Sequence, residues 1–122
     1  MIRESDLPNV FSGLFDAVHS LVGEYNSSRD AKLDIYSQPY VAFKVRRNHL
    51  PNGTSLTVKL TSFMEFEVEH WQLASIGAES EEVTKKLIPM VQEDGEVKFK
   101  YEDGEPMTIE ETARSLMKPF FK

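Results

Sequence analysis

The stretch from Ala31 to Ala74 constrains this chain most, because apolar and polar side chains alternate on both sides of an Asn-Gly pair. Both residues of such a pair adopt positive φ readily, so Asn52-Gly53 reads as a two-residue hairpin turn. Pro51 then faces Thr54, Arg46 faces Lys59, Val45 faces Leu60 and Val41 faces Met64. Further from the turn, Tyr40 faces Glu65, Gln38 faces Glu67 and Tyr36 faces Glu69. One face of this long hairpin collects Val41, Phe43, Val45, Leu56, Val58, Leu60, Met64, Phe66 and Val68, as expected of a half-buried antiparallel pair. The other face carries Glu65, Glu67 and Glu69 with Tyr36, Gln38, Tyr40, Ala42 and Phe63. Pro39 has no N–H to give a ladder, so it marks a sheet edge or a bulge.

Helical spacing brackets the hairpin. Asp6-Leu7-Pro8 has a capping acid and an early proline, and apolar residues recur from Leu7 to Tyr25 on one wide face. Residues 79–92 place acids before lysines, which suits a helix dipole, and put Val83, Leu87, Met90 and Val91 toward the core until Pro89 kinks or ends the run. Residues 96–102 alternate strictly and predict a strand. Thr108 and Glu111 form a capping-box pattern opening a last helix with Ile109, Thr112, Ala113, Leu116 and Met117 inward. Pro119 stops it, leaving Phe120-Phe121 to dock or stay exposed. The resulting expectation is an α+β fold in order α-β-β-α-β-α. It has an antiparallel sheet of three to four strands with a long hairpin, and helices packed mainly on one face.

The 122 residues fit one domain, 1–122, with enough core to fold without a disulfide or metal. Cysteine is absent, which removes thiol catalysis and thiolate metal sites and fits a reducing, cytoplasmic setting. The N-terminal residues carry no long apolar run, so neither a signal peptide nor a membrane span is expected.

Net charge is −6 and uneven. Residues 1–62 hold 7 basic and 6 acidic side chains, whereas residues 63–122 hold 7 and 14. The acidic half disfavours a nucleic-acid backbone as ligand and suits a basic partner protein. Lys44, Arg46, Arg47 and Lys59 cluster near the hairpin tip, but Arg46 and Arg47 point to opposite faces, which dilutes any basic patch.

No catalytic or cofactor motif stands out. His19, His49 and His70 fall on different elements. Glu67 and His70 lie three apart on a strand and so point to opposite faces. Glycine-rich phosphate loops and the GxSxG elbow are absent. Three glutamates on an open sheet face lack the pocket that raises a carboxyl pKa for acid–base work.

The expected role is therefore a non-enzymatic protein-binding module with no cofactor and no metal. Its binding surface is Glu65, Glu67, Glu69, Tyr36, Gln38, Tyr40 and Phe63, aromatics interleaved with acids against a basic surface. An acidic inhibitor or adaptor of antitoxin, immunity or anti-defence type fits that charge. The same face also reads as an ordinary solvated sheet face, or as one covered by the last helix. Self-assembly through the edge near Pro39 and the Phe120-Phe121 tail is a second reading. A small enzyme or ligand-binding domain, with a pocket holding a carboxylate or His70, is a third.

Overall fold

The computed structural model describes residues 6–28, 33–38, 41–48, 53–61, 65–73 and 81–121. Helix α1 (Leu7–Ser28) comes first. Seven strands follow: β1 (Leu33–Gln38), β2 (Ala42–Asn48), β3 (Gly53–Leu60), β4 (Phe66–Leu73), β5 (Glu81–Val91), β6 (Val97–Tyr101) and β7 (Met107–Thr108). Helix α2 (Ile109–Met117) and a 3₁₀ turn (Lys118–Phe121) close the chain. All seven strands join one antiparallel sheet in sequence order, an unbroken meander.

α1 buries Leu7, Val10, Phe11, Leu14, Val18, Leu21, Val22 and Tyr25, the stripe its spacing defines. It runs past Tyr25 because Ser27 and Ser28 hydroxyls turn back onto the Glu24 and Tyr25 carbonyls. Asn26 then ties the helix end to β1. Its Oδ1 accepts from the Leu33 N–H at 2.7 Å and its Nδ2 donates to the Leu33 carbonyl at 3.0 Å.

The strand count and order differ from expectation: seven strands stand between two helices, α-β7-α, not three or four strands interrupted by a helix. Each arm of the expected long hairpin is itself a hairpin. The first reverses after Gln38, where the Val41 N–H donates to the Gln38 carbonyl at 3.0 Å, and Val41 is left 46% exposed, not in the core. The second reverses where the Thr61 N–H donates to the Glu65 carbonyl at 2.8 Å. The β2–β3 register pairs Asn48 with Gly53 and Val45 with Leu56, not Val45 with Leu60. That shift of four residues is even, so every side chain keeps its face.

Residues 81–91 form a strand where a helix was expected. Apolar residues sit on both of its faces, with Ile88 and Met90 outward and Leu87 and Pro89 inward, which erases the two-residue period. Pro89 lies beyond the last β4 pair among the described residues (Phe66 with Leu87) and opposes Phe99 of β6, near the end of the β4 ladder, where a proline is tolerated. Between β5 and β6, Gly95 has φ +85°, donates its N–H to the Gln92 carbonyl at 2.9 Å and supplies the left-handed residue of the turn. β7 follows Pro106 and is two residues long, too short for alternation to reveal.

The inner sheet face and both helices share one core. Phe43, Val45, Leu56, Val58, Phe66, Val68, Leu87 and Phe99 meet α1 and the Ala113, Leu116 and Met117 face of α2. Phe66 is the central ring, 6.5 Å from Phe11 and 6.0 Å from Phe99 between centroids. The capping box at α2 is complete: the Thr108 Oγ1 accepts from the Glu111 N–H at 3.1 Å, and Glu111 accepts from the Thr108 N–H at 3.0 Å. Phe120 is buried, and its carbonyl accepts from the Arg47 guanidinium, which also donates to Tyr25 Oη at 3.1 Å. The Arg47 guanidinium stands over both aromatic rings, 5.8 Å from Tyr25 and 5.9 Å from Phe120.

Candidate functional site

Both helices pack on the face that carries Phe43, Leu56, Phe66 and Leu87, so the opposite face is the outer one, and among the described residues no helix covers it. Strand parity puts Tyr36, Gln38, Ala42, Glu67 and Glu69 there. The pairs expected between them are not made. Tyr36 lies opposite Lys44 and Gln38 opposite Ala42, while Glu67 opposes Lys59 and Glu69 opposes Thr57. β1 and β4 are separated by β2 and β3, which puts Tyr36 and Glu69 about 14 Å apart at the usual strand spacing. Glu65 lies just before β4, in the β3–β4 reversal. Tyr40 and Phe63 lie outside the described residues.

This outer face is mixed in charge rather than acidic. Lys59 Nζ stands 3.7 Å from Glu69 Oε1, and Lys86 opposes Glu67 across the β4–β5 ladder. Lys86 also lies 3.6 Å from Glu102. Tyr36, 49% exposed, accepts a hydrogen bond from Arg46 at 3.1 Å while the guanidinium stands 5.5 Å from its ring centre. Both ion pairs are exposed enough that each contributes under about 1 kcal/mol.

The acidic excess lies elsewhere. Residues 93–111 carry eight carboxylates against Lys98 and Lys100, a balance of −6 that matches the net charge of the whole chain. All eight are exposed, on the β5–β6 turn, the β6–β7 turn and the first turn of α2. Sequence halves point toward this margin, but the alternating glutamates of β4 draw attention away from it.

A second site opens on the inner face, where the helices stop short. His70, Gln72, Val83, Lys85, Tyr101, Ser115, Lys118 and Pro119 line a cleft of about 440 Å³. β4 and β5 supply its floor, and the end of α2 with the 3₁₀ turn supplies a wall. His70 Nε2 lies 3.1 Å from the Leu116 carbonyl. A carbonyl only accepts, so Nε2 carries the proton and ties β4 to α2. Burial lowers the His70 pKa below its usual 6.5. The bond to Leu116 opposes this, and the nearby Lys85 adds to it. Tyr101 Oη and Ser115 Oγ are 3.4 Å apart, and Lys85 Nζ is 5.3 Å from the Tyr101 ring centre. Of the two groups that the sequence suggests for a pocket, a carboxylate or His70, His70 lines this cleft, and none of its neighbours there stands out in the sequence as a site residue. Lys85 and Lys118 are ordinary surface lysines until the fold brings their elements together.

Among the described residues no group of three or more His, Asp or Glu is placed to hold a metal ion, and no helix is long and apolar enough to cross a membrane. No family model, curated protein or solved structure matches the chain, so its surfaces alone carry the functional reading.

Proposed function

We propose that the chain is a non-enzymatic protein-binding module, an acidic inhibitor or adaptor that engages a basic surface of a partner protein in a reducing, cytoplasmic setting. The observation that carries this reading is a broad sheet face left uncovered by either helix, with the chain's carboxylate excess along its β6–β7 margin. Tyr36, Gln38, Glu67 and Glu69 lie on that face, and Glu102, Asp103 and Glu105 border it. Interleaved lysines give the face a charge pattern that fixes orientation, while the margin supplies long-range attraction. An antitoxin, immunity or anti-defence protein acting on a nucleic-acid-binding target is the subclass that this charge suits.

The test compares wild type with two charge reversals, Glu67→Lys/Glu69→Lys on the face and Glu102→Lys/Asp103→Lys/Glu105→Lys on the margin. Each is used to capture partners from the native host. The proposal expects one basic protein held by wild type and lost about tenfold or more with the margin variant, with a steeper salt dependence for wild type. Equal capture by all three proteins refutes it.

Self-assembly keeps one supporting observation: β1 is a six-residue edge strand that carries the exposed Tyr36. Of the Phe120-Phe121 tail, Phe120 is buried in the core and so unavailable to a second copy. Light scattering after size exclusion decides between them, because a concentration-independent monomer removes the self-assembly reading.

A further inference from the structure

The inner sheet face is covered unevenly along β5. Leu87 is fully buried beneath the helices, yet Lys85 and Val83, two and four residues earlier on the same face, are exposed, Val83 by 48%. An inward-facing valine and lysine reach solvent because the cleft opens above them. Its volume, about 440 Å³, falls within the ~300–1,000 Å³ range of small-molecule sites.

Its charge runs against that of the molecule. The chain has 20 acidic and 14 basic side chains, but among the described residues the lining holds Lys85 and Lys118 and no carboxylate. Neither lysine makes an ion pair among the described residues. Hydroxyl donors converge beside them, Tyr101 Oη and Ser115 Oγ, while Val83 and Pro119 offer apolar surface. Unneutralised ammonium groups, hydroxyls and an apolar wall together suit a ligand that is anionic at one end and apolar at the other.

We infer that this cleft binds a small amphiphilic organic anion, its carboxylate or phosphate headgroup held by Lys85 and Lys118 and its apolar portion lying against Val83. The site is on the opposite face from the protein-binding surface and does not rest on that reading. His70 closes the inner end of the cleft as a neutral ring, already committed through Nε2 to Leu116.

Calorimetric titration with decanoate, decyl phosphate and decylammonium tests it, each kept below self-association. At least one of the two anions is expected to bind saturably, and decylammonium is not. Comparing decanoate with decyl phosphate identifies the headgroup. Lys85→Glu/Lys118→Glu is expected to weaken the binding anion by about tenfold or more, whereas Lys98→Glu/Lys100→Glu, the same charge change on the outer face, stays within about twofold. All four lysines are at least partly exposed, so both variants should fold, and far-UV circular dichroism checks this. The inference is overturned if neither anion saturates, if decylammonium binds as well, or if the two variants weaken binding equally.

Discussion

Truncating β5 at two positions four residues apart separates its placement as a strand under a partial cover from the helix that its charge pattern suggests. Leu87→Ala removes three carbons from a fully buried site beside Phe66 and Phe99. Transfer alone accounts for about 2.4 kcal/mol at ~0.8 per carbon, and a cavity among rings that cannot collapse brings the loss to roughly 3–4 kcal/mol. Val83→Ala removes two carbons from a side chain already 48% exposed, so about half of ~1.6 kcal/mol, or ~0.8, is lost and no closed cavity forms. On a helix the two residues would stack one turn apart on a single buried stripe, and their losses would be similar. Urea titration followed by the fluorescence of Trp71, the chain's one tryptophan, and by circular dichroism measures both. With m near about 2 kcal/mol/M, the Leu87 midpoint falls by roughly 1.5–2 M and the Val83 midpoint by under about 0.5 M. Equal midpoints for the two variants would refute both the strand and the open cleft above it.

Three further outcomes are expected. Thr108→Ala should destabilise the protein by about 1 kcal/mol through loss of the α2 cap. It should also raise the Glu111 pKa part of the way toward its ordinary value, read by carboxyl NMR titration, because the Thr108 backbone N–H, the larger cause of the lowering, remains and only the hydroxyl is lost. The His70 pKa is lowered by folding, so the unfolded chain binds the extra proton and stability falls as pH drops through and below about 6.5. His70→Gln keeps a donor for the Leu116 carbonyl and should flatten that decline, measured as the difference between urea midpoints on either side of this range. Gly95→Ala should be destabilising by roughly 1 kcal/mol, although its Cβ would meet nothing within 4 Å, because φ +85° strains any other residue.

Local rules determined the two helices and the facing of each side chain they govern. The α1 stripe, the Thr108–Glu111 box and the alternation of residues 97–101 each depend on neighbours within a turn or a strand, and all three are where the sequence puts them. Even the misplaced β2–β3 register kept its faces, since parity survives an even shift. The points where the long strands break were not legible. Pro39 marked the first only as an edge or bulge, and the second falls in a run from Thr61 to Glu65 with no glycine or proline to announce it. Residues 81–91 misled because lysine occupies an inward position where the cover is missing, and isoleucine and methionine occupy outward ones.

Charge balance belongs to the sequence, but its distribution belongs to the fold. Composition fixed an excess of six carboxylates. Only the meander showed that the β4 glutamates are interleaved with Lys59 and Lys86 while the excess lines the β6–β7 margin. The cleft is tertiary altogether: Lys85 and Lys118 are 33 residues apart in the chain, and they come to line one cleft because the end of α2 and the 3₁₀ turn stand beside β4 and β5. Hydrophobic periodicity records which face of an element is buried. How far the covering element extends depends on helix lengths and crossing positions, which no single segment encodes.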